Sequence, residues 1–577
     1  MPLTSMLVVA TNLVATLCST LTHAVVAASS LSIAAYISTI SSATYLTFKR
    51  YELDHRNPVA LVALLAIIPA GYTSVLLLRS FSWLLAPLLA FTAHYAIILG
   101  CTAAYRLSPF HPLAQYPGPV LPRITKWYSA YICHRGDLHH WYRELHNQYG
   151  DVVRVGPNEL SIRDTAAIPA VLDLNGLPKG PFWDNRSDPV VLVGERDVDV
   201  HARRRRTWAR GLTNAAIKDY MPFIEARARQ LMDRLSSIVR DSGEKRREVN
   251  LASWLSYFVT DSMGDMAFGG GFELLRDGGD VRGVWQSFEN GLQAVTPFAH
   301  APWSIPFIAR IPGLTNPKQI ATMRAFGKES TIQRLKLGAK RKDLFYYLSG
   351  EDQPSRPTLP TMIADGLLAI IAGSDTTSTV LTSVVYFLCK HHDAYKRLQE
   401  EIAETFLLEE DPVDSARLGK MTWLNACINE AMRLLPPVPS GSQRTVPVGA
   451  GPKIVGEHVI PEQTQVTVHT YSIQRDPRNF AHPDVFLPQR WLAEEREKAA
   501  LLPHTPAAFF PFSYGPTACA GKHLALLELR VVLCWLFQRF DLAFAAQGVE
   551  GDRWEDGLRD FYIARKGKMW VKMSERI

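Results

Sequence analysis

The sequence predicts a mainly α-helical fold with small β-sheets, carried behind N-terminal transmembrane helices. Three observations point there. Apolar runs almost free of charge fill the chain up to Tyr105. A break rich in proline and aromatics follows, and beyond it helical periodicity dominates with a few short strands. No internal repeat, low-complexity tract or second shift in composition divides that remainder, so residues 123–577 read as one large multi-element enzyme domain.

Composition agrees with this frame. At 577 residues, 47% hydrophobic and net charge +7, the chain can bury a large core and is not disordered. Its positive balance is too diffuse for nucleic acid but suits an anionic membrane surface or an acidic redox partner. The seven cysteines are odd in number and scattered, with no CxxC. That argues against a disulfide scaffold and a zinc cluster, and for a catalytic part in a reducing compartment.

The anchor, residues 1–106, starts with a stretch from Leu7 to Leu46 that holds no Asp, Glu, Lys or Arg. Two further apolar runs, Pro58–Leu78 and Phe81–Tyr105, are separated by a single charge, Arg79. Three spans are expected, over about 20–46, 58–78 and 81–105. A signal peptide is disfavoured, because the first residues lack a positive charge and the apolar stretch is too long. Lys49, Arg50, Arg56 and Arg106 place the first loop and the large domain in the cytosol, with the N-terminus in the lumen. The sequon Asn185-Arg186-Ser187 should then stay unglycosylated. The segment 107–122, with His111-Pro112 and Pro117-Gly118-Pro119, cannot continue a helix and reads as a stiff hinge.

Within the large domain, His201-Ala202-Arg203-Arg204-Arg205-Arg206-Thr207-Trp208 is a basic run. Taken alone it is a solvated or membrane-facing surface. Gly269-Gly270-Gly271 reads as a turn after a helix ending near Phe268, and Phe298, Pro302, Trp303, Pro306 and Phe307 as a packed loop or a membrane-dipping entrance. Ala372-Gly373-Ser374-Asp375-Thr376-Thr377 interrupts an apolar helix expected over Leu359–Lys390. Glycine costs about 1 kcal/mol in a helix interior, and Asp and Thr compete for backbone hydrogen bonds. The cluster is either a kink with back-bonded hydroxyls or an acid–alcohol pair placed to deliver protons.

Glu430-Ala431-Met432-Arg433 puts a carboxylate and a guanidinium three apart on a helix starting near Met421. The same spacing recurs at Glu244 and Arg247, so alone it carries little. The first copy is followed by Leu434-Leu435-Pro436-Pro437 and later by Phe486-Leu487-Pro488-Gln489-Arg490-Trp491. Near the C-terminus, Phe512-Ser513-Tyr514-Gly515-Pro516-Thr517-Ala518-Cys519-Ala520-Gly521 sets one cysteine in a tight turn before a helix starting at Lys522. The helix N-terminus should lower its pKa and temper its basicity. From these residues alone Cys519 is a buried apolar thiol or a metal-bound thiolate. A phosphate-binding loop is missed twice, at Ala520 and at His523.

The pattern FxxGxxxCxG resembles the haem-binding loop of the cytochrome P450 family. The anchor, hinge, basic helix, AGSDTT, ExxR and FxPxRW follow in that family's order, with wording that looks fungal. The resemblance implies a cytochrome P450 fold in which Cys519 is the axial ligand of haem b, flanked by Phe512 and Gly521. It implies that Ala372 and Gly373 open a groove for dioxygen, that Thr376 holds a hydroxyl there, and that Asp375 relays protons. Glu430, Arg433 and Arg490 are implied to lock the loop region before the thiolate. Arg444, His201 and Arg205 are implied to hold the haem propionates. Thr517 departs from the pattern, since Arg or His often stands two before the cysteine and reaches a propionate.

The implied reaction puts one atom of dioxygen into a small hydrophobic substrate such as a terpenoid, steroid, polyketide, indole alkaloid or xenobiotic, while the other becomes water. Ala369, Ala372, Thr377 and Val438-Pro439-Ser440 are expected to border the substrate pocket. The chain after Cys519 is too short for a flavin domain, so electrons from NADPH are expected through NADPH-cytochrome P450 reductase, with cytochrome b5 as a second candidate donor. The implied location is the endoplasmic reticulum membrane. Two alternatives share features: a haem-thiolate isomerase or dehydratase, and a non-catalytic haem-binding membrane protein. The Asp375–Thr376 pair argues against both.

Overall fold

The structure is a computed structural model that describes residues 27–51, 57–185, 187–241, 246–311, 317–338, 342–545 and 551–576. Residues 20–26 of the first expected span, Arg56, Arg186 and Glu244 lie outside them. The chain forms two compact units divided between Gln115 and Tyr116, inside the Pro-rich stretch.

The first unit contains helices Ser30–Arg50, Pro58–Leu78 and Leu85–Leu107. The second and third are long and apolar enough to cross a membrane. Helix Ser30–Arg50 is richer in hydroxyls, and Thr39, Thr44 and Thr47 donate to the carbonyls four residues earlier. Pro69 has no N–H for the helix ladder, and the turn before it, Ala63–Ile67, widens into a π-helix. The Tyr95 hydroxyl donates to the Leu65 carbonyl at 2.7 Å, and His94 hydrogen-bonds the Leu64 carbonyl at 2.9 Å and Ser41 Oγ at 2.8 Å. Side chains of one helix thus satisfy backbone groups of another, as an apolar medium demands.

In the second unit, helix Leu359–Lys390 has the expected bounds. Thr358 caps its N-terminus by accepting from Thr361 N, and Lys390 sits in its last turn. It too is apolar enough to cross a membrane, but 67% of its apolar window is buried, against 11% and 17% for Pro58–Leu78 and Leu85–Leu107. It is therefore a core helix. Around it pack Leu251–Phe268, Thr422–Leu434 and Lys522–Arg539, joined through residues such as Phe258, Val384, Leu424 and Trp535. Gly269, at φ +75°, ends Leu251–Phe268 in the left-handed conformation.

The β-structure is small. A four-stranded sheet orders Val152–Gly156, Glu159–Ile162, Gln465–Val468 and Arg444–Thr445. Glu159–Ile162 runs parallel to Gln465–Val468, with Glu159 opposite Gln465, and Arg444 pairs antiparallel with Val466. A three-stranded sheet joins Arg247–Asn250, Trp570–Glu575 and Phe540–Phe544, and the hairpin Arg559–Phe561/Ile563–Arg565 turns at Tyr562. The four-stranded sheet and that hairpin each contribute residues to the cavity described next.

Candidate active site

A cavity of about 300 Å³ lies between helix Leu359–Lys390 and the loop leading into helix Lys522–Arg539. Cys519 faces it: the side chain is accessible, yet the surrounding chain encloses it, so the exposure is toward the cavity. The turn is specified locally. Cys519 N donates to the Phe512 carbonyl at 2.8 Å, and Gly515 has φ +68°. A Cβ at Gly515 would stand 2.3 Å from the Leu172 carbonyl oxygen, which excludes any other residue. Phe512 and Gly521 line the cavity, and a Cβ at Gly521 would meet no protein atom within 4 Å.

The expected fall in the Cys519 pKa is not what results. Burial pushes the thiol up, and the Gly521 N–H, Arg205 and Lys522 only partly offset it. The helix N-terminus acts in the expected direction but loses to desolvation.

One rim of the cavity is cationic. His201 and Arg205 lie one turn apart on helix Val198–Gly211, whose N-terminus is capped by Asp197, and both line the cavity with Arg444. Of the remaining arginines of that run, Arg203 and Arg206 are exposed, and Arg204 pairs with Asp365 at 2.7 Å. Arg444 Nη2 donates to Thr517 Oγ1 at 2.6 Å, whereas Arg444 Nε is buried and meets no partner among the described residues. The residue that breaks the family pattern therefore positions one of the arginines. Lys179, which no motif pointed to, joins the rim through an antiparallel bridge to Arg444. Burial and the neighbouring cations lower its pKa to about 7 and that of His201 to about 4.

Among the described residues only one carboxylate lines the cavity, Glu528. It is buried, its Oε1 has no partner among the described residues, and desolvation raises its pKa to about 8. It leaves the cations uncompensated at neutral pH. Its only sequence signal is a charge in the apolar stretch Leu524–Leu529. A mostly apolar cavity with a thiol on one wall and unmatched cations at one rim fits haem b, whose two propionates supply the missing negative charge.

On helix Leu359–Lys390, Gly373 and Thr376 line the cavity. A Cβ on Gly373 would come 2.6 Å from Met263 Sδ, so the glycine allows close packing of helix Leu251–Phe268 as well. Thr376 Oγ1 donates to the Ala372 carbonyl at 2.7 Å, and the back-bonded hydroxyl occurs in a helix that stays continuous. Asp375 does not share this cavity. It borders a second one, of about 20 Å³, with Glu289, Gln293, Arg565 and Lys566. Burial raises its pKa to about 7 against the pull of Lys566. Ala369, Ala372, Thr377 and Val438 line the main cavity, but Pro439 and Ser440 do not. Ser440 is instead buried and donates to Asp560.

Glu430, Arg433 and Arg490 meet in a fully buried cluster. Arg433 grips the Glu430 carboxylate through Nη2 at 2.7 Å and Nε at 2.9 Å, and Arg490 Nε adds a contact at 3.0 Å. The remaining guanidinium nitrogens donate to carbonyls of Gln474, Pro483, Ala481 and His482. Trp491 Nε1 and Leu487 N complete the carboxylate shell, each at 3.0 Å. Burial opposes its ionisation, yet the two arginines hold its carboxyl below the ordinary range.

A thiol at the wall of an apolar cavity, an anion-seeking rim and a hydroxyl on the opposite helix define a haem-thiolate protein. Residues 117–558 match the cytochrome P450 family. The chain is 33% identical over 551 residues to Cytochrome P450 67 of Uromyces fabae, covering 92% of this chain and 96% of that one. It is 33% identical over 475 residues to the cytochrome P450 monooxygenase FCK2 of Fusarium pseudograminearum, covering 81% and 83%. Tryprostatin B 6-hydroxylase of Aspergillus fumigatus is 30% identical over 557 residues, covering 93% and 95%. The chain belongs to the cytochrome P450 family. It is a haem-thiolate monooxygenase that uses dioxygen and NADPH.

Proposed function

We propose that this monooxygenase oxidises a small hydrophobic secondary metabolite at the endoplasmic reticulum membrane, with Cys519 as the thiolate that would hold the haem iron. The observation that carries the reading is the cavity itself, apolar over most of its wall, with Cys519 on one side and Thr376 and Gly373 on helix Leu359–Lys390. Haem b bound there supplies dioxygen activation and oxygen transfer. Gly515 and the Phe512 carbonyl fix the loop so that the sulfur faces inward. Arg444, Arg205 and His201 orient the cofactor through its carboxylates.

Ala369, Leu368 and Val380 line the apolar side, hold the substrate and exclude water. Asp375 collects protons from the second cavity, which has room for about one water molecule, and the Thr376 hydroxyl passes them on at the substrate side. Glu430, Arg433 and Arg490 keep the preceding segment in place and take no part in the chemistry.

Helices Pro58–Leu78 and Leu85–Leu107 support a membrane anchor, and Lys49, Arg50 and Arg106 support a cytosolic catalytic domain. NADPH-cytochrome P450 reductase is the partner this location supplies, with cytochrome b5 as a second donor. Similarity to tryprostatin B 6-hydroxylase supports a secondary metabolite as substrate. The test is a screen of apolar metabolites for spectral shifts on binding, then turnover with reductase, NADPH and labelled dioxygen. One labelled atom per product molecule is expected; product formed without NADPH or dioxygen would sink the reading.

A further inference from the structure

We propose that Lys179 is a haem-carboxylate ligand of this chain and takes over the contact given up at Thr517. The inference rests on the haem reading above and deepens it.

Lys179 lies in the Leu177-Pro178-Lys179-Gly180 segment, outside any haem motif of the sequence. Its backbone bridges to Arg444, Thr445 N donates to the Pro178 carbonyl, and Gly180 N donates to the Gln443 carbonyl at 2.9 Å. The segment is thus stitched to the strand that carries Arg444. A Cβ at Gly180 would stand 2.6 Å from Gln443 Oε1, so glycine there permits the close approach. The lysine side chain is buried and lines the cavity.

An ammonium has three N–H donors. Among the described residues Lys179 Nζ meets one acceptor, the Leu192 carbonyl, at 3.0 Å. Among the described residues the charges that act on it most strongly are Arg444, Arg205 and Arg204, with Glu195 the acidic member of that group and His201 beside them. A buried ammonium among cations either gives up its proton or keeps it by meeting an anion. Thr517, by contrast, brings no charge and accepts from Arg444 Nη2, so the rim keeps its cation count through Lys179. A haem propionate is the anion that this cavity takes.

The experiment uses the haem-loaded full chain and follows haem transfer to apomyoglobin by the Soret band. Lys179→Met should lose haem roughly tenfold faster, the worth of a charge-assisted hydrogen bond. Adding Thr517→Arg to that variant should restore retention to near wild type. Wild type should lose haem faster toward alkaline pH, and Lys179→Arg should retain haem without that rise, because lysine deprotonates and arginine does not. The Arg variant's flat pH profile keeps the test decisive even if Lys179→Met fails to load haem. Unchanged haem loss in Lys179→Met, or the same alkaline rise in Lys179→Arg, would overturn the proposal. Arg444→Ala in the same assay separates the two readings: fast loss there with none in Lys179→Met removes only the lysine, whereas no loss in either removes the carboxylate rim.

Discussion

The Glu430–Arg433–Arg490 cluster and the Lys179–His201–Arg205–Arg444 cluster are both buried in whole or part and both rich in cations, but they end differently. In the first, each guanidinium nitrogen has an acceptor and both carboxylate oxygens are shared among Arg433, Arg490, Trp491 and Leu487. In the second, Arg444 Nε has no partner among the described residues, and burial depresses the pKa of Lys179, His201, Arg205 and Arg444 alike. A closed cluster has nothing left to bind, so its worth lies in the fold. An open one is stabilised from outside the chain, so its worth lies in the cofactor.

The largest effect should come from breaking the closed cluster. Glu430→Gln leaves two buried arginines without a counter-charge, at a cost of about 3–5 kcal/mol. We expect almost no haem-loaded protein and a collapsed thermal melt; a wild-type melt would break the comparison.

Arg444→Ala, in the open cluster, should leave the far-ultraviolet circular dichroism intact while haem loss accelerates on the order of tenfold. Equal damage to both quantities would mean that the open cluster is structural as well.

Thr376→Ala touches neither cluster. It should keep folding and haem retention but raise hydrogen peroxide release relative to product by several-fold, since proton delivery contributes about 100-fold or more in rate. Unchanged coupling would remove the hydroxyl from proton transfer.

The smallest effect is a pH window. His201 is depressed from 6.5 to about 4, so the unfolded chain takes up the proton first and stability falls as pH drops from 6.5 toward 4. The Glu430 carboxyl, held below its usual range, contributes stability that is lost as pH falls from the ordinary glutamate value of 4.5 down through that lower pKa. Haem carboxylates bound beside His201, as proposed, would raise its pKa, so the haem-loaded protein should melt with less acid sensitivity over that window than the haem-free one. Parallel melting curves would contradict the assignment of His201 to the rim.

The sequence made legible whatever is written within one turn or one helix. The Cys519 turn, the bounds of Leu359–Lys390, the Glu430–Arg433 spacing and the His201–Arg205 repeat are local patterns, and each stands where its spacing put it. Long-range packing was not legible. Lys179 reaches the site only because its segment bridges to Arg444, far along the chain. Asp375 borders a second cavity rather than the one Thr376 lines, and that second cavity is walled in part by Arg565 and Lys566 from a hairpin far along the chain. The direction of the Cys519 pKa shift failed for the same reason, since desolvation depends on everything packed around the loop.

The central claim is that Cys519 is the axial thiolate of a haem held in this cavity. It is tested most directly by the carbon monoxide complex of the reduced protein, wild type against Cys519→Ser. The wild type should show the strongly red-shifted Soret band of a thiolate-ligated haem, and the serine variant should lose it completely. Retention of that band in Cys519→Ser would contradict it.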